Sequence, residues 1–205
     1  LPSSVLKDVL KDNIKTTFNA ITCDGDTSTN DMVSIFSTCK VQNPEIKKFS
    51  DKRIKNFNKA IHEVLLNLAK QVVSDGEGAS KLISINCINC KSEKDAKNIS
   101  FKIANSLLVK TAIAGEDPNW GRVAMAIGNS DTKIIEKKLS ISFGSHKIFS
   151  KGSLFQNYDE NKVLDYMKGQ LIEIEVNLGQ GNKSFKAYTM DLTKKYIEIN
   201  ADYRT

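Results

Sequence analysis

Glu77 is the carboxylate of this chain best placed for binding chemistry, because Asp75-Gly76-Glu77-Gly78-Ala79 sets it between two glycines just past a long helical pattern. Backbone that permissive can carry a negative charge close to a ligand ammonium group. The same five residues also fit a glycine-type helix C-cap with an incidental glutamate, and the residues alone leave both readings open. A second polar concentration, Ile21–Asp31, packs three aspartates and four hydroxyl residues around Gly25. Such residues satisfy their own backbone in tight turns, so a self-bonded turn is expected there. An EF-hand loop is excluded, since one beginning at Asp24 needs glycine where Thr29 stands and a bidentate glutamate where Ile35 stands.

Cys87-Ile88-Asn89-Cys90 has the C-x-x-C spacing of metal or redox sites. In a strand, Ile83, Ile85 and Cys87 share one face, and a spacing of three sends Cys90 to the other. Thiolates pointing apart cannot share a tetrahedral metal, so no metal site is expected. With Cys23 and Cys39 they read as reduced, mostly buried residues of a cytoplasmic protein. His62 lies beside a helical apolar stripe and His146 on a turn that leaves it in solvent, with no nucleophile motif near either. No G-x-S-x-G elbow, Walker loop or G-x-G-x-x-G is present. Asp117-Pro118-Asn119-Trp120-Gly121-Arg122 has two readings: a site lined by an indole and a guanidinium, or a helix start anchored in the core by Trp120. The polar tail Asn200–Thr205 reads, taken alone, as a frayed end.

These groups need elements to hold them. Leu6, Val9, Leu10, Ile14 and Phe18 follow Pro2 at helical spacing, and residues 32–38 look like a short buried strand. A helix over 51–74 follows, capped by Ser50, with the stripe Ile54, Phe57, Ile61, Val64, Leu65, Leu68, Val72. After the glycine turn comes a strand over 81–90, then a helix from Ser92 with Asp95 three residues on and the stripe Ala96, Ile99, Ile103, Leu107. Asp117 as N-cap and Pro118 at the first position start a helix that Gly128 ends. Beyond it the period changes to two: Leu139, Ile141 and Phe143, then Ile172, Ile174, Val176 and Leu178, with a strand near 185–189 and a helical turn capped by Thr193. Helices and strands mix without strict alternation, which favours an α+β layered fold over a doubly wound sheet.

The chain has 205 residues, of which 40% are hydrophobic and 26% charged, enough for one core. No apolar run reaches the length of a membrane span and no signal segment opens it. Its formal net charge is +6, yet only Arg53, Arg122 and Arg204 are arginines. Lysines scattered among acids do not make a nucleic-acid surface, which spends arginine and interleaves aromatics.

Four motifs now stand in order: D-G-D-T-S-T-N-D at 24–31, D-G-E-G-A-S-K at 75–81, K-T-A-I-A-G-E-D-P-N-W-G-R at 110–122 and I-N-A-D-Y-R-T at 199–205. Together they resemble the ornithine acetyltransferase (glutamate N-acetyltransferase) family, over nearly the whole chain. The resemblance implies a layered α/β sandwich of that type, with mixed sheets and helices packed outside. It implies a precursor that cuts itself before a threonine, giving an α and a β chain. The new N-terminal threonine takes acetyl from N-acetylornithine and passes it to glutamate, in a ping-pong scheme of arginine biosynthesis. A free α-amine beside the hydroxyl serves as base, so no histidine is required.

On that resemblance residues 1–205 form a single β-chain unit with its front end missing, as the absence of a starting methionine also suggests. The nucleophile is expected roughly ten residues before Leu1, so that no catalytic residue falls in this chain. The family's substrate-binding positions map onto Glu77, which pairs with an amino group of the bound amino acid, and onto Asn200 and Thr205. No cofactor and no metal are implied. The implied partners are the α chain, in an α2β2 assembly, and the two amino-acid substrates, with no nucleic acid or membrane. Whether acetyl-CoA also serves as donor stays open, as do the roles of Lys81 and Arg122. The alternatives are an N-terminal-nucleophile amidase or aminopeptidase of similar architecture, in which water takes the acyl group, and a non-catalytic assembly subunit.

Overall fold

The computed structural model describes residues 1–203. Its first strand is β1 (Leu82–Cys90), followed by β2 (Ser140–Phe143), β3 (His146–Ser150), β4 (Ser153–Leu154), β5 (Leu171–Asn177) and β6 (Lys183–Met190). They form one mixed sheet in the order β4-β3-β2-β5-β1-β6. β1 runs parallel to β5 and antiparallel to β6, and every other neighbouring pair is antiparallel. Parallel pairing sets Ile83 against Ile172, Ile85 against Ile174 and Cys87 against Val176. All six are fully buried, so the period-two alternation in the sequence becomes one continuous apolar face. The expected α+β layered arrangement is the one found.

Helices α3 (Glu93–Ala104), α4 (Leu107–Ala114) and α5 (Trp120–Gly128) cover that face through Ile99, Ile103, Ile113 and Ile127. Ser92 caps α3 as its sequence predicts, accepting from the Asp95 amide at 3.0 Å. The helix ends at Ala104, so Leu107 is not part of its stripe but opens α4, whose cap is Ser106. In α5 the cap is Asn119 rather than Asp117: Asn119 Oδ1 accepts from the Arg122 amide at 3.2 Å, while Asp117 Oδ2 accepts from Asn119 Nδ2 at 3.0 Å. Trp120 stacks on Phe149 at 4.8 Å, which makes it the core anchor of the two readings. Helix α6 (Glu160–Met167) covers the far end of the sheet, and His146 is half-buried in β3 against Tyr166 at 5.8 Å, not left in solvent.

On the other side lie α1 (Ser3–Ile14) and α2 (Lys55–Ser74), entered through a short 3-10 turn that Asp51, not Ser50, caps. Asn13 ties the two helices, donating to Asn58 Oδ1 at 2.7 Å and facing His62 Nδ1 at 3.2 Å. The face that α2 buries is Leu65, Ala69 and Val73. Of the expected stripe, Phe57, Val64, Leu68 and Val72 are exposed. α2 is apolar on two sides, and periodicity does not say which side meets the sheet.

Two further expectations fail for physical reasons. Residues 32–38 form no strand: they pair with neither open edge of the sheet, a strand exists only by pairing, and Met32 is 82% and Phe36 84% exposed. Cys90 does not point away from Cys87. Asn89 takes φ 54° and the register with β6 shifts between Cys87 and Cys90, a bulge that returns Cys90 to the same core. Burial pushes the Cys87 thiol up to about 12 and that of Cys90 to about 11, so both stay protonated and poor ligands near neutral pH. Among the described residues no group of three or more His, Cys, Asp or Glu could hold a metal ion, and no helix is long and apolar enough to cross a membrane.

Candidate active site

The glycine turn after α2 does not end the helix in the way its composition suggests. Ser74 is the last helical residue, and the left-handed conformation falls on Gly78 (φ +68°) rather than on Gly76. The plain C-cap reading therefore does not describe this loop. At Gly78 a Cβ would stand 2.5 Å from the backbone nitrogen of Tyr196, so glycine is required by close approach to the terminal helix α7 (Lys194–Asp202). The C-terminal side of the turn is fixed by Asp191, fully buried just after β6. Its carboxylate accepts from the Ser80 amide (2.8 Å), the Ser80 hydroxyl (2.5 Å) and the Lys81 amide (3.0 Å). Glu77 is left at the crest of a pinned loop with its side chain exposed.

The second wall is the polar cluster, which is the self-bonded turn its composition predicts. Asp24 Oδ1 accepts from the Asp26 amide at 3.0 Å, the Thr22 hydroxyl from the Gly25 amide at 3.2 Å, and the Ser28 hydroxyl from the amides of Asn30 and Asp31. Ile21 bridges to Tyr188, and the Thr22 hydroxyl donates to Asn105 Oδ1 at 2.8 Å. Beneath it Lys110 is 1% exposed, and its ammonium donates to the Cys23 carbonyl and to Thr189 Oγ1.

Burial lowers the Lys110 pKa, against the opposing pull of Cys23, Asp24 and Asp191. The unfolded chain then binds more protons between the depressed value and the ordinary 10.5, so this group costs stability near neutrality and the cost fades as pH rises through that window. The stability of the wild type relative to Lys110→Met is expected to increase from pH 7 to pH 10 in urea titrations. A difference independent of pH would show that Lys110 keeps its ordinary pKa.

The third wall is α7. Thr193 occupies its N-cap position without capping it; the hydroxyl donates instead to the Gly78 carbonyl at 2.7 Å. The Tyr196 hydroxyl donates to Asp24 Oδ2 at 3.0 Å. One turn later Asn200 Nδ2 donates to Glu77 Oε2 at 2.7 Å and to the Tyr196 carbonyl at 3.0 Å. Two of the three predicted binding residues, 123 positions apart, thus meet directly. Thr205 lies outside the described residues.

The walls enclose an open cleft of about 1220 Å³. Asp24, Asp26, Asp31, Asp75 and Glu77 line it, with Lys97 the one cation among the described residues there, in a chain whose formal charge is +6. Such a field favours a cationic ligand. Lys81 and Arg122 do not reach this cleft. Lys81 is buried, pairs with Glu116 at 3.1 Å and donates to the carbonyls of Met167 and Gly169, while Arg122 donates to the Leu108 carbonyl at 2.8 Å. Both hold the fold. Asp191, Lys110 and Tyr196 were not singled out in the sequence. The one available signal was Lys110, the lone charge in the mostly apolar run Leu107–Ala114.

The chain as a whole is similar to known proteins. The ArgJ family profile matches residues 1–205. The arginine biosynthesis bifunctional protein ArgJ of Gluconobacter oxydans is 46% identical over 205 residues, covering 100% of this chain and 48% of that protein. The protein of the same name from Bradyrhizobium diazoefficiens is 47% identical, covering 98% of this chain and 50% of its own length. The chain therefore spans about half the length of the curated relatives it matches. A crystal structure of ArgJ from Bacillus halodurans superposes with a TM-score of 0.93 at 36% identity, covering 99% of this chain and 95% of that one.

Proposed function

Because this chain belongs to the ArgJ family, we propose that it is the β half of an arginine-biosynthesis acetyltransferase moving acetyl from N-acetylornithine to glutamate. The observation that supports this most is the 2.7 Å contact between Glu77 and Asn200 at the rim of an acidic cleft. A carboxylate whose partner among the described residues is a neutral amide keeps its charge available for the ammonium of an amino acid, and the surrounding aspartates favour the same sign. Asn200 adds a neutral donor one contact away. Thr205 remains in the proposal on its motif alone.

In the reaction as proposed, a threonine heading the β chain, upstream of Leu1, attacks the acetyl carbonyl of N-acetylornithine. Its hydroxyl proton passes to the threonine's own α-amine and then to the leaving amine, which departs as ornithine. The resulting acetyl ester is attacked by the amine of glutamate, giving N-acetylglutamate and restoring the hydroxyl. The residues of this chain bind and orient the two amino acids: Glu77 receives the side-chain ammonium of N-acetylornithine and then the entering ammonium of glutamate, which gives one proton to the threonine's free α-amine and attacks as the neutral amine. The α chain of the same precursor supplies the rest of the site in a cytoplasmic α2β2 assembly.

The test is acetyl transfer from N-acetylornithine to isotopically labelled glutamate by the protein expressed from its full reading frame. Labelled N-acetylglutamate is the expected product. Release of acetate without transfer would instead assign an amidase. The relatives are named bifunctional; a parallel assay with acetyl-CoA as donor extends or limits the proposal accordingly.

A further inference from the structure

We infer that the hydrogen bond from Tyr196 to Asp24 is the pin that seats α7 on the cleft while substrate is bound, making Tyr196 and Asp24 positioning residues for the amino acid. α7 carries Asn200 yet buries none of its own side chains, and Ile197 on it is 62% exposed. Apolar packing is limited to half-buried Tyr196 and Ile199, so polar contacts do most to set its place. Among the described residues its hydrogen bonds from side chains to the body are Thr193 to the Gly78 carbonyl, Tyr196 to Asp24, and Asn200 to Glu77.

The last of these cannot seat the helix during turnover. When a ligand ammonium takes Glu77, Asn200 loses or shares that partner and keeps only the Tyr196 carbonyl, within its own helix. Thr193 fixes the start of α7, and Tyr196, one turn in, becomes the contact nearest Asn200 that is independent of ligand. Its partner is held by its own turn. Asp24 spends Oδ1 on the Asp26 amide at 3.0 Å, and the preceding carbonyl is held by buried Lys110, which leaves Oδ2 for Tyr196. Desolvation, helped by Asp24, holds the phenol up at about 12, so it remains a donor throughout any assay range.

The kinetic part of the test rests on the acetyl transfer proposed above; the structural part does not. Tyr196→Phe removes one hydroxyl from a half-buried ring and leaves the fold intact. In the protein expressed from its full reading frame, amide hydrogen exchange over 194–202 is expected to speed up about tenfold, with the sheet unchanged. That corresponds to ~1.4 kcal/mol, at the upper end of the range for an ordinary hydrogen bond. KM for both amino acids is expected to rise about tenfold with kcat within about twofold. Because Tyr196 acts through Asn200, the Tyr196→Phe/Asn200→Ala double variant is expected to bind no more weakly than Asn200→Ala alone. Unchanged exchange in α7, or effects that multiply in the double variant, would overturn the inference. Exchange faster in α7 in a protein that transfers no acetyl would instead uphold the pin and remove the proposed reaction.

Discussion

Glu77→Gln is expected to lower kcat/KM for acetyl transfer about 100-fold, or ~2.7 kcal/mol, the scale of a hydrogen bond to a charged group. The substitution is nearly isosteric at an exposed position, so it leaves no cavity and strands no buried group. Its new amide oxygen can still accept from Asn200 Nδ2, now at 2.7 Å from the carboxylate, so α7 keeps its seat. What disappears is the negative charge that would meet the ligand ammonium. The loss should fall mainly on KM, and precursor cleavage and melting temperature should stay as in the wild type. Steady-state kinetics with gel analysis of the two chains reads all three. Unchanged apparent affinity for both amino acids would remove Glu77 from the site.

Gly78→Ala is expected to reduce the same activity about 30-fold through a different route. The left-handed φ of +68° costs an alanine ~1 to 2 kcal/mol, and its Cβ would meet Tyr196 nitrogen at 2.5 Å and Lys195 carbonyl carbon at 2.9 Å. Both are backbone atoms, so a side-chain rotation cannot relieve the clash. Either the loop distorts or α7 lifts, and α7 is the weaker partner because none of its residues is buried. A docking loss of ~2 kcal/mol corresponds to the 30-fold drop. The global urea transition, set by the sheet and α3–α5, should shift far less than activity does. A transition that collapses in step with activity would show that α7 is part of the main folding unit.

Several elements were legible because their cause is local. The Ser92 cap sits three residues before the amide it serves, and the alternation of Ile172, Ile174 and Val176 reports one buried face directly. Asp24–Asp31 bonds within itself, so its composition foretold its shape. Expectations failed wherever a partner distant in sequence decides. Residues 32–38 have strand composition but pair with no strand of the sheet, and α2 has two apolar sides of which the sheet covers one. The bulge at Asn89 depends on pairing with β6, and it alone reverses the side on which Cys90 lies.

The site divides in the same way. By itself the sequence determined the α+β class, the family resemblance carried by four motifs, and the nomination of Glu77 and Asn200. Composition, period and motif order are properties of the chain read in one direction. Only the tertiary structure decided that Glu77 and Asn200 touch, that Gly78 is glycine on account of α7 rather than α2, and that Lys110 and Asp191 hold the two walls from below. These contacts join residues far apart along the chain, where neither propensity nor spacing has any reach. Lys110 and Asp191 form theirs because folding takes an ammonium and a carboxylate out of water, and each must then find its partner in the other segment.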